Sequence, residues 1–160
     1  MELKLDVKNI DNIFTVVKEI KGPYWELIID PFPQLFDWLK DNSNKGEGLI
    51  GIYYDDPLRK DPYECIADFG IITKTEEKEE IIPGYKPKKF TNLTVLTTEY
   101  IGKMDSADKV KVYNLLKEWI KNSDKYKYNW EKPVIEIYKD YSLREGKEGK
   151  TIIMFPLKER

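Results

Sequence analysis

From Ile13 to Ile20 (IFTVVKEI) apolar and polar residues alternate in a β-branched run, which predicts a strand, and Gly22-Pro23 ends it. Tyr24 to Ile29 follows, Asp30-Pro31-Phe32-Pro33 interrupts it, and Gln34 to Asn42 sets Leu35, Trp38 and Leu39 at helical spacing. This predicts one helix, kinked or split at the prolines. Leu49 to Tyr54 (LIGIYY) reads as a strand, Asp55 to Pro62 as a turn and Tyr63 to Ile72 as a further strand. Lys74 to Lys89, charged and interrupted by two prolines and a glycine, reads as a surface connection.

The order then recurs. Leu93 to Ile101 is a predicted strand closed by Gly102, and Asp105 or Ser106 caps a helix in which Val112, Tyr113, Leu116 and Ile120 share a face. Val134 to Tyr138 and Thr151 to Leu157 are strands around a turn-rich stretch. Gly22 matches Gly102, FDWLKDN at 36–42 matches KEWIKNS at 117–123, GIYYD at 51–55 matches EIYKD at 136–140, and ADFGI at 67–71 matches IMFPL at 153–157, at offsets of 80 to 86 residues. The reading is an α+β domain over 1–160 built as a tandem duplication of a βαββ unit. The first repeat covers about 1–73, the connection 74–90 and the second repeat about 91–160. Each unit alone buries only one sheet face, so two antiparallel sheets facing a central groove about a pseudo-two-fold axis, with helices outside, is the economical arrangement.

Composition narrows the chemistry. The 160 residues include no histidine and one cysteine, Cys65, which excludes Ser-His-Asp and Cys-His nucleophiles, His-ligated haem, His- or Cys-only zinc sites and an internal disulfide. Catalysis, if present, falls to carboxylates, Tyr, Lys or Cys65. No metal or other cofactor is expected. The net charge of −2 gives no footprint for direct nucleic-acid or anionic-membrane binding, no apolar run is long enough to span a bilayer, and no signal-like segment opens the chain. A free thiol without a disulfide framework fits a reducing compartment, so a cytoplasmic location is expected. The balance hides asymmetry, because 1–80 carry 10 basic and 18 acidic side chains and 81–160 carry 17 and 11, so the two halves can attract each other.

Lys21-Gly22-Pro23-Tyr24, Gly51-Ile52-Tyr53-Tyr54-Asp55-Asp56-Pro57, Val134-Ile135-Glu136-Ile137-Tyr138 and Ile153-Met154-Phe155-Pro156-Leu157 stand in an order that resembles the GyrI-like small-molecule-binding domains. That family includes stand-alone gyrase-inhibitory proteins and effector-binding domains of multidrug-responsive regulators. The resemblance covers essentially the whole chain and implies a duplicated βαββ fold. Two positions depart from the family pattern. Ile152 follows Thr151 where an acidic residue is frequent, and Asp68-Phe69-Gly70-Ile71-Ile72 has Asp for Glu and lacks a proline.

Alternation separates Ile135 and Ile137 from Val134, Glu136 and Tyr138, and Ile50 and Ile52 from Leu49, Gly51 and Tyr53. The isoleucines suit the helices, which leaves the second set to line the groove between repeats. Gly51 is the equivalent of Glu136, so it leaves room for a ligand beside one carboxylate. A buried carboxylate needs a partner, and an organic cation is a natural one. The candidate ligand-binding residues are Glu136, Tyr138, Tyr53, Gly51, Tyr24, Trp25 and Trp38, the aromatic faces each adding cation–π attraction of ~0.5–2 kcal/mol. For several of these a second role competes: Glu136 pairing with a lysine, Tyr24 and Trp25 in the core, and Trp38 packing symmetrically with Trp119. Asp55 and Asp56 suit turn hydrogen bonds, and Cys65 suits a buried inert thiol.

The leading function is a stand-alone binder that sequesters or senses amphipathic, cationic small molecules, since the first strand begins too near Met1 for a preceding DNA-binding segment. The alternative implied by hydrolytic relatives is cleavage of strained, cyclopropane-type electrophiles, with Glu136 as general acid or base and Tyr138 or Tyr53 as its hydrogen-bonding partner. A third is interaction with DNA gyrase or with a separate regulator.

Overall fold

The computed structural model describes residues 3–27, 31–103, 106–139 and 147–160. Ile29, Asp30, the alternative cap Asp105, residues 140–146 of the predicted turn-rich stretch and the side chain of Trp25 lie outside the described residues. The elements run β1 (Asp6–Lys21), α1 (Tyr24–Leu27), α2 (Phe32–Asp41), β2 (Gly46–Tyr53), β3 (Ile66–Thr73), β4 (Lys86–Gly102), α3 (Ala107–Asn122), β5 (Tyr126–Tyr128), β6 (Val134–Tyr138) and β7 (Gly149–Glu159). The first helical segment splits at its prolines as expected. Pro31 caps α2 and Pro33 sits in its first turn, where a missing N–H costs nothing. Ser106 caps α3 by accepting from the Lys109 N–H at 3.3 Å.

Every strand pairing is antiparallel. Hydrogen bonds join β1 to β3, β3 to β2, β2 to β6, β6 to β7, β7 to β4 and β4 back to β1, with β5 added on β7, so the seven-stranded sheet closes on itself. Apart from β5, the scheme is unchanged when β1, β2 and β3 are exchanged for β4, β6 and β7. Val17 pairs with Gly70 as Thr97 pairs with Met154, and Ile52 pairs with Asp68 as Ile137 pairs with Ile152. The equivalent of 67–71 is therefore 151–155, two residues before the matched motif at 153–157. A two-residue shift preserves the alternation, which is why motif similarity does not reveal it.

Several boundaries differ from the sequence pattern. β1 begins at Asp6 instead of Ile13, because its first half pairs with Thr91–Thr97 of β4. Lys86 to Phe90 are strand rather than connection, because they pair with the Ile13–Val17 stretch of β1; Pro87 is tolerated there because β7 pairs with β4 only from Val95 onward. Pro62–Glu64 form a 3-10 turn, so β3 begins at Ile66 instead of Tyr63. The short β5 has no counterpart in the sequence pattern. Its partner is the end of β7, and a three-residue strand carries too little local signal.

Closure decides the core. Ile13, Val17, Ile50, Ile52, Leu93, Val95, Ile135, Ile137 and Met154 form one buried cluster drawn entirely from strands. Outside the ring, Phe32, Leu35 and Phe36 of α2 pack on Val16, Leu49, Phe69, Ile71 and Tyr138, while Val112, Leu116 and Ile120 of α3 pack on Leu96, Tyr100, Ile153, Phe155 and Leu157. The expected orientation is thus reversed. Ile50, Ile52, Ile135 and Ile137 fill the interior between the two halves, and Gly51, Tyr53, Glu136 and Tyr138 lie under the helices. Alternation fixes that the two sets oppose each other but not which side is enclosed. The enclosed face is filled mainly by β-branched and other aliphatic side chains, with the buried Asp68 paired to Lys88 among them.

Candidate functional site

Gly51 of β2 and Glu136 of β6 are direct cross-strand partners on the helix-bearing face, with Phe69 beyond Gly51 and Ile153 beyond Glu136. The α3 helix reaches down to this point. Its capped first turn puts Lys109 and Tyr113, four residues apart, on the side facing the sheet, and Tyr113 rests edge-on against Phe155 with ring centroids 5.1 Å apart.

Glu136 is 3% exposed. Its Oε1 accepts from the Lys109 Nζ at 2.6 Å and the Tyr138 hydroxyl at 2.7 Å, and its Oε2 accepts from the Tyr113 hydroxyl. Because Tyr138 donates to the carboxylate, Tyr53, 2.6 Å away, donates to Tyr138 and extends the chain of hydroxyls. Removing a carboxylate from water costs several kcal/mol, and here three donors offset that cost. The Lys109 ammonium also stands 5.8 Å from the centroid of the Tyr138 ring. Around the network the rings adjoin: Tyr24 on Tyr53 at 4.9 Å, Phe32 on Tyr138 at 5.2 Å and Phe32 on Phe69 at 5.3 Å.

The hydroxyls are held in their neutral form. Burial pushes Tyr53, Tyr113 and Tyr138 well above the ordinary tyrosine range, and the negative charge of Glu136 pushes them further. They act as donors, not as bases or nucleophiles, at any neutral pH. The arrangement can hold a positive charge against Glu136 beneath aromatic faces, with the Tyr138 and Tyr53 hydroxyls orienting the carboxylate.

The structure brings Glu136, Tyr138, Tyr53 and Gly51 together. The room expected at Gly51 is filled by its own neighbour: a Cβ there would stand 2.5 Å from the Tyr53 hydroxyl, whose ring lies over the glycine. Tyr24 joins the edge of the group, but its hydroxyl donates to the Ile66 carbonyl at 2.6 Å and packs on Cys65 and Ala67, and burial drives it above its usual range. Trp38 packs beside Gly46, at the opposite end of β2 from Tyr53, and Trp119 packs on the α3 side. Asp56 accepts from the Leu58 N–H two residues on at 2.9 Å, as turn residues do, and Asp55 ties the two ends of its loop together by accepting from the Ile66 N–H at 2.8 Å. Cys65 is buried. A cavity of about 330 Å³ opens elsewhere, lined by Phe36, Leu39, Lys40, Gly46, Gly48 and Lys139 among others, and none of Glu136, Tyr53 and Tyr138 borders it.

The sequence pattern does not single out Lys109 and Tyr113. It places Tyr113 only on an apolar face; the available signal is their spacing on that face, with two polar ends aimed at a sheet that carries one buried acid. The two departures from the family pattern fall on equivalent positions, Asp68 and Ile152. Asp68 lies away from Glu136, on the face of Ile52, where it accepts from Lys88 at 2.7 Å and Tyr54 at 2.5 Å, joining the acidic half to the basic one.

Among the described residues no helix is long and apolar enough to cross a membrane. No curated protein sequence matches the chain significantly. Solved structures do. The C-terminal domain of EcmrR aligns over 100% of both chains at 19% identity with a TM-score of 0.69. SAV2435, solved bound to tetraphenylphosphonium, aligns over 99% of this chain and 94% of its own at 18% identity and a TM-score of 0.61. A hydrolase encoded by lin2189 of Listeria innocua aligns over 97% and 92% at 11% identity and a TM-score of 0.62. At these identities the likeness establishes the fold. Residues 15–158 match the profile of the GyrI-like small-molecule-binding domain, and the chain belongs to that family.

Proposed function

We propose that the protein binds amphipathic organic cations at Glu136. The observation that carries this reading is a nearly fully buried carboxylate, supplied with tyrosine hydroxyls and bordered by aromatic rings, that already holds a cation. Membership of a small-molecule-binding family supports it, as does a structural neighbour bound to tetraphenylphosphonium. Tyr53 and Tyr138 position the carboxylate and offer ring faces, and Phe32, Phe69 and Tyr24 form the walls. The proposed site lies on the helix-bearing face where β2 and β6 join two related βαββ units, 1–73 and 91–160, at the Gly51–Glu136 pair. Titration with tetraphenylphosphonium, followed by tryptophan fluorescence, is expected to saturate. Glu136→Gln is expected to weaken it at least tenfold, about 1.4 kcal/mol. Unchanged affinity in that variant would remove Glu136 from the site.

A hydrolytic reading draws on the continuous Tyr53–Tyr138–Glu136 hydrogen-bond chain, which suits Glu136 as general acid or base with Tyr138 as its donor. Incubation with a strained electrophile in large excess distinguishes it: loss beyond one equivalent supports turnover, and stoichiometric loss rejects it.

A further inference from the structure

We propose that Lys109 is a tethered, displaceable cation that competes with the ligand for Glu136 and thereby selects bulky lipophilic cations over small ones; this rests on Glu136 being the cation site. The Lys109 ammonium makes both contacts an organic cation needs there. It pairs with Oε1 at 2.6 Å and stands over the Tyr138 ring at 5.8 Å. Tyr53 covers Gly51, so no vacant place adjoins the carboxylate on that side. A second cation beside the same carboxylate would meet Lys109 at short range in a poorly hydrated site, where like charges repel strongly. The ligand therefore replaces the ammonium instead of joining it.

The geometry makes replacement feasible. Glu136 is fixed in the middle of a strand, whereas the Lys109 side chain is 14% exposed and carries its ammonium on a flexible chain of four carbons. Rotation about that chain returns the ammonium to water without moving α3. Its position is also one a helix does not favour: Lys109 lies in the first turn, where the helix dipole opposes positive charge, next to Asp108, which the dipole favours. Pairing with Glu136 is what holds it inward.

Competition from a tether is severe for weak ligands. A flexibly linked group acts at an effective concentration of about millimolar. A small ammonium ion offers only the charge pair and ring contact that Lys109 already supplies. A lipophilic cation adds apolar burial, worth about 25 cal/mol per Å², and so displaces the lysine.

The test compares the wild type, Lys109→Met, which keeps length without charge, and Lys109→Arg, which keeps the charge. Each is titrated with tetraphenylphosphonium and with tetramethylammonium, and circular dichroism checks folding. Lys109→Met is expected to bind tetraphenylphosphonium at least tenfold more tightly than wild type and to gain more for tetramethylammonium, while Lys109→Arg stays within about threefold of wild type. On the unaltered protein, reductive methylation read by peptide mass spectrometry is expected to modify Lys109 faster when tetraphenylphosphonium is saturating, which decides the matter should Lys109→Met not fold. Equal or weaker binding by folded Lys109→Met, or a methylation rate at Lys109 that does not rise, overturns the inference. If wild type binds and Lys109→Met binds no better, the inference fails and the cation site stands; if neither binds tetraphenylphosphonium, both fail.

Discussion

Tyr113→Phe isolates one bond of the site. The ring keeps its edge-on contact with Phe155 at 5.1 Å, and only the hydroxyl that donates to Glu136 Oε2 is lost. Lys109 and Tyr138 continue to serve Oε1, so the carboxylate keeps part of its support. A hydrogen bond to a charged group contributes about 1.5–3 kcal/mol, and its loss in a domain of this size lowers Tm by about 3–12 °C. Urea denaturation at pH 7 measures the first quantity and a thermal scan the second. The pH dependence adds an independent signature. Tyr113 in the unfolded chain ionises near pH 10, whereas burial and the Glu136 charge keep its folded hydroxyl protonated well above that. Above about pH 10 the folded state therefore binds one more proton than the unfolded state, and stability falls as pH rises, by about 1.4 kcal/mol per unit for this one group. The stabilisation is complete below about pH 10. The phenyl ring of the variant has no such proton, so the gap between wild type and variant should be full at pH 7 and narrow above about pH 10. A variant within about 0.5 kcal/mol of wild type at pH 7, with the same alkaline slope, would refute the assignment of Tyr113 to Glu136.

Two further predictions probe the scaffold. Gly70→Ala places a Cβ against the Val16 carbonyl oxygen and the Val17 Cα, backbone atoms that cannot yield without opening the β1–β3 ladder, so a loss at or above the upper end of the overpacking range of about 1–3 kcal/mol is expected by urea denaturation; a neutral substitution would mean that the strands do not approach so closely. Cys65 is 1% exposed and burial pushes its thiol up, so a disulfide reagent at pH 8 should label it only as fast as the protein unfolds, and prompt stoichiometric labelling of native protein would contradict its placement.

How far the residues themselves disclose the site can be followed element by element. The periodicity of Val112, Leu116 and Ile120 with Ser106 before it places α3 and its buried face, since capping and helical spacing are local properties. The prolines place the break ahead of α2. Alternation in VIEIY and LIGIY, with glycine matched to glutamate, brings Gly51 and Glu136 into register, and they are cross-strand partners. The strand character of Lys86 to Phe90 is hidden, because five residues rich in lysine and carrying a proline become strand only through the edge that β1 offers them. The two-residue displacement of β7 is hidden for a related reason: ladder register is a property of two chains side by side, and ADFGI resembles IMFPL more than it resembles TIIMF.

Spacing along the chain is enough to give the class of the domain, the order of its main strands and helices and one carboxylate opposite a glycine, and composition is enough to exclude histidine chemistry. Tertiary structure alone decided which face of each strand is enclosed, that Tyr53 fills the space above Gly51, and that Lys109 and Tyr113 meet Glu136. Those facts depend on a sheet that closes on itself and on a helix that crosses it, which bring together residues 23 and 27 positions apart. No local pattern encodes that crossing, since its driving force is burial summed over both halves of the chain.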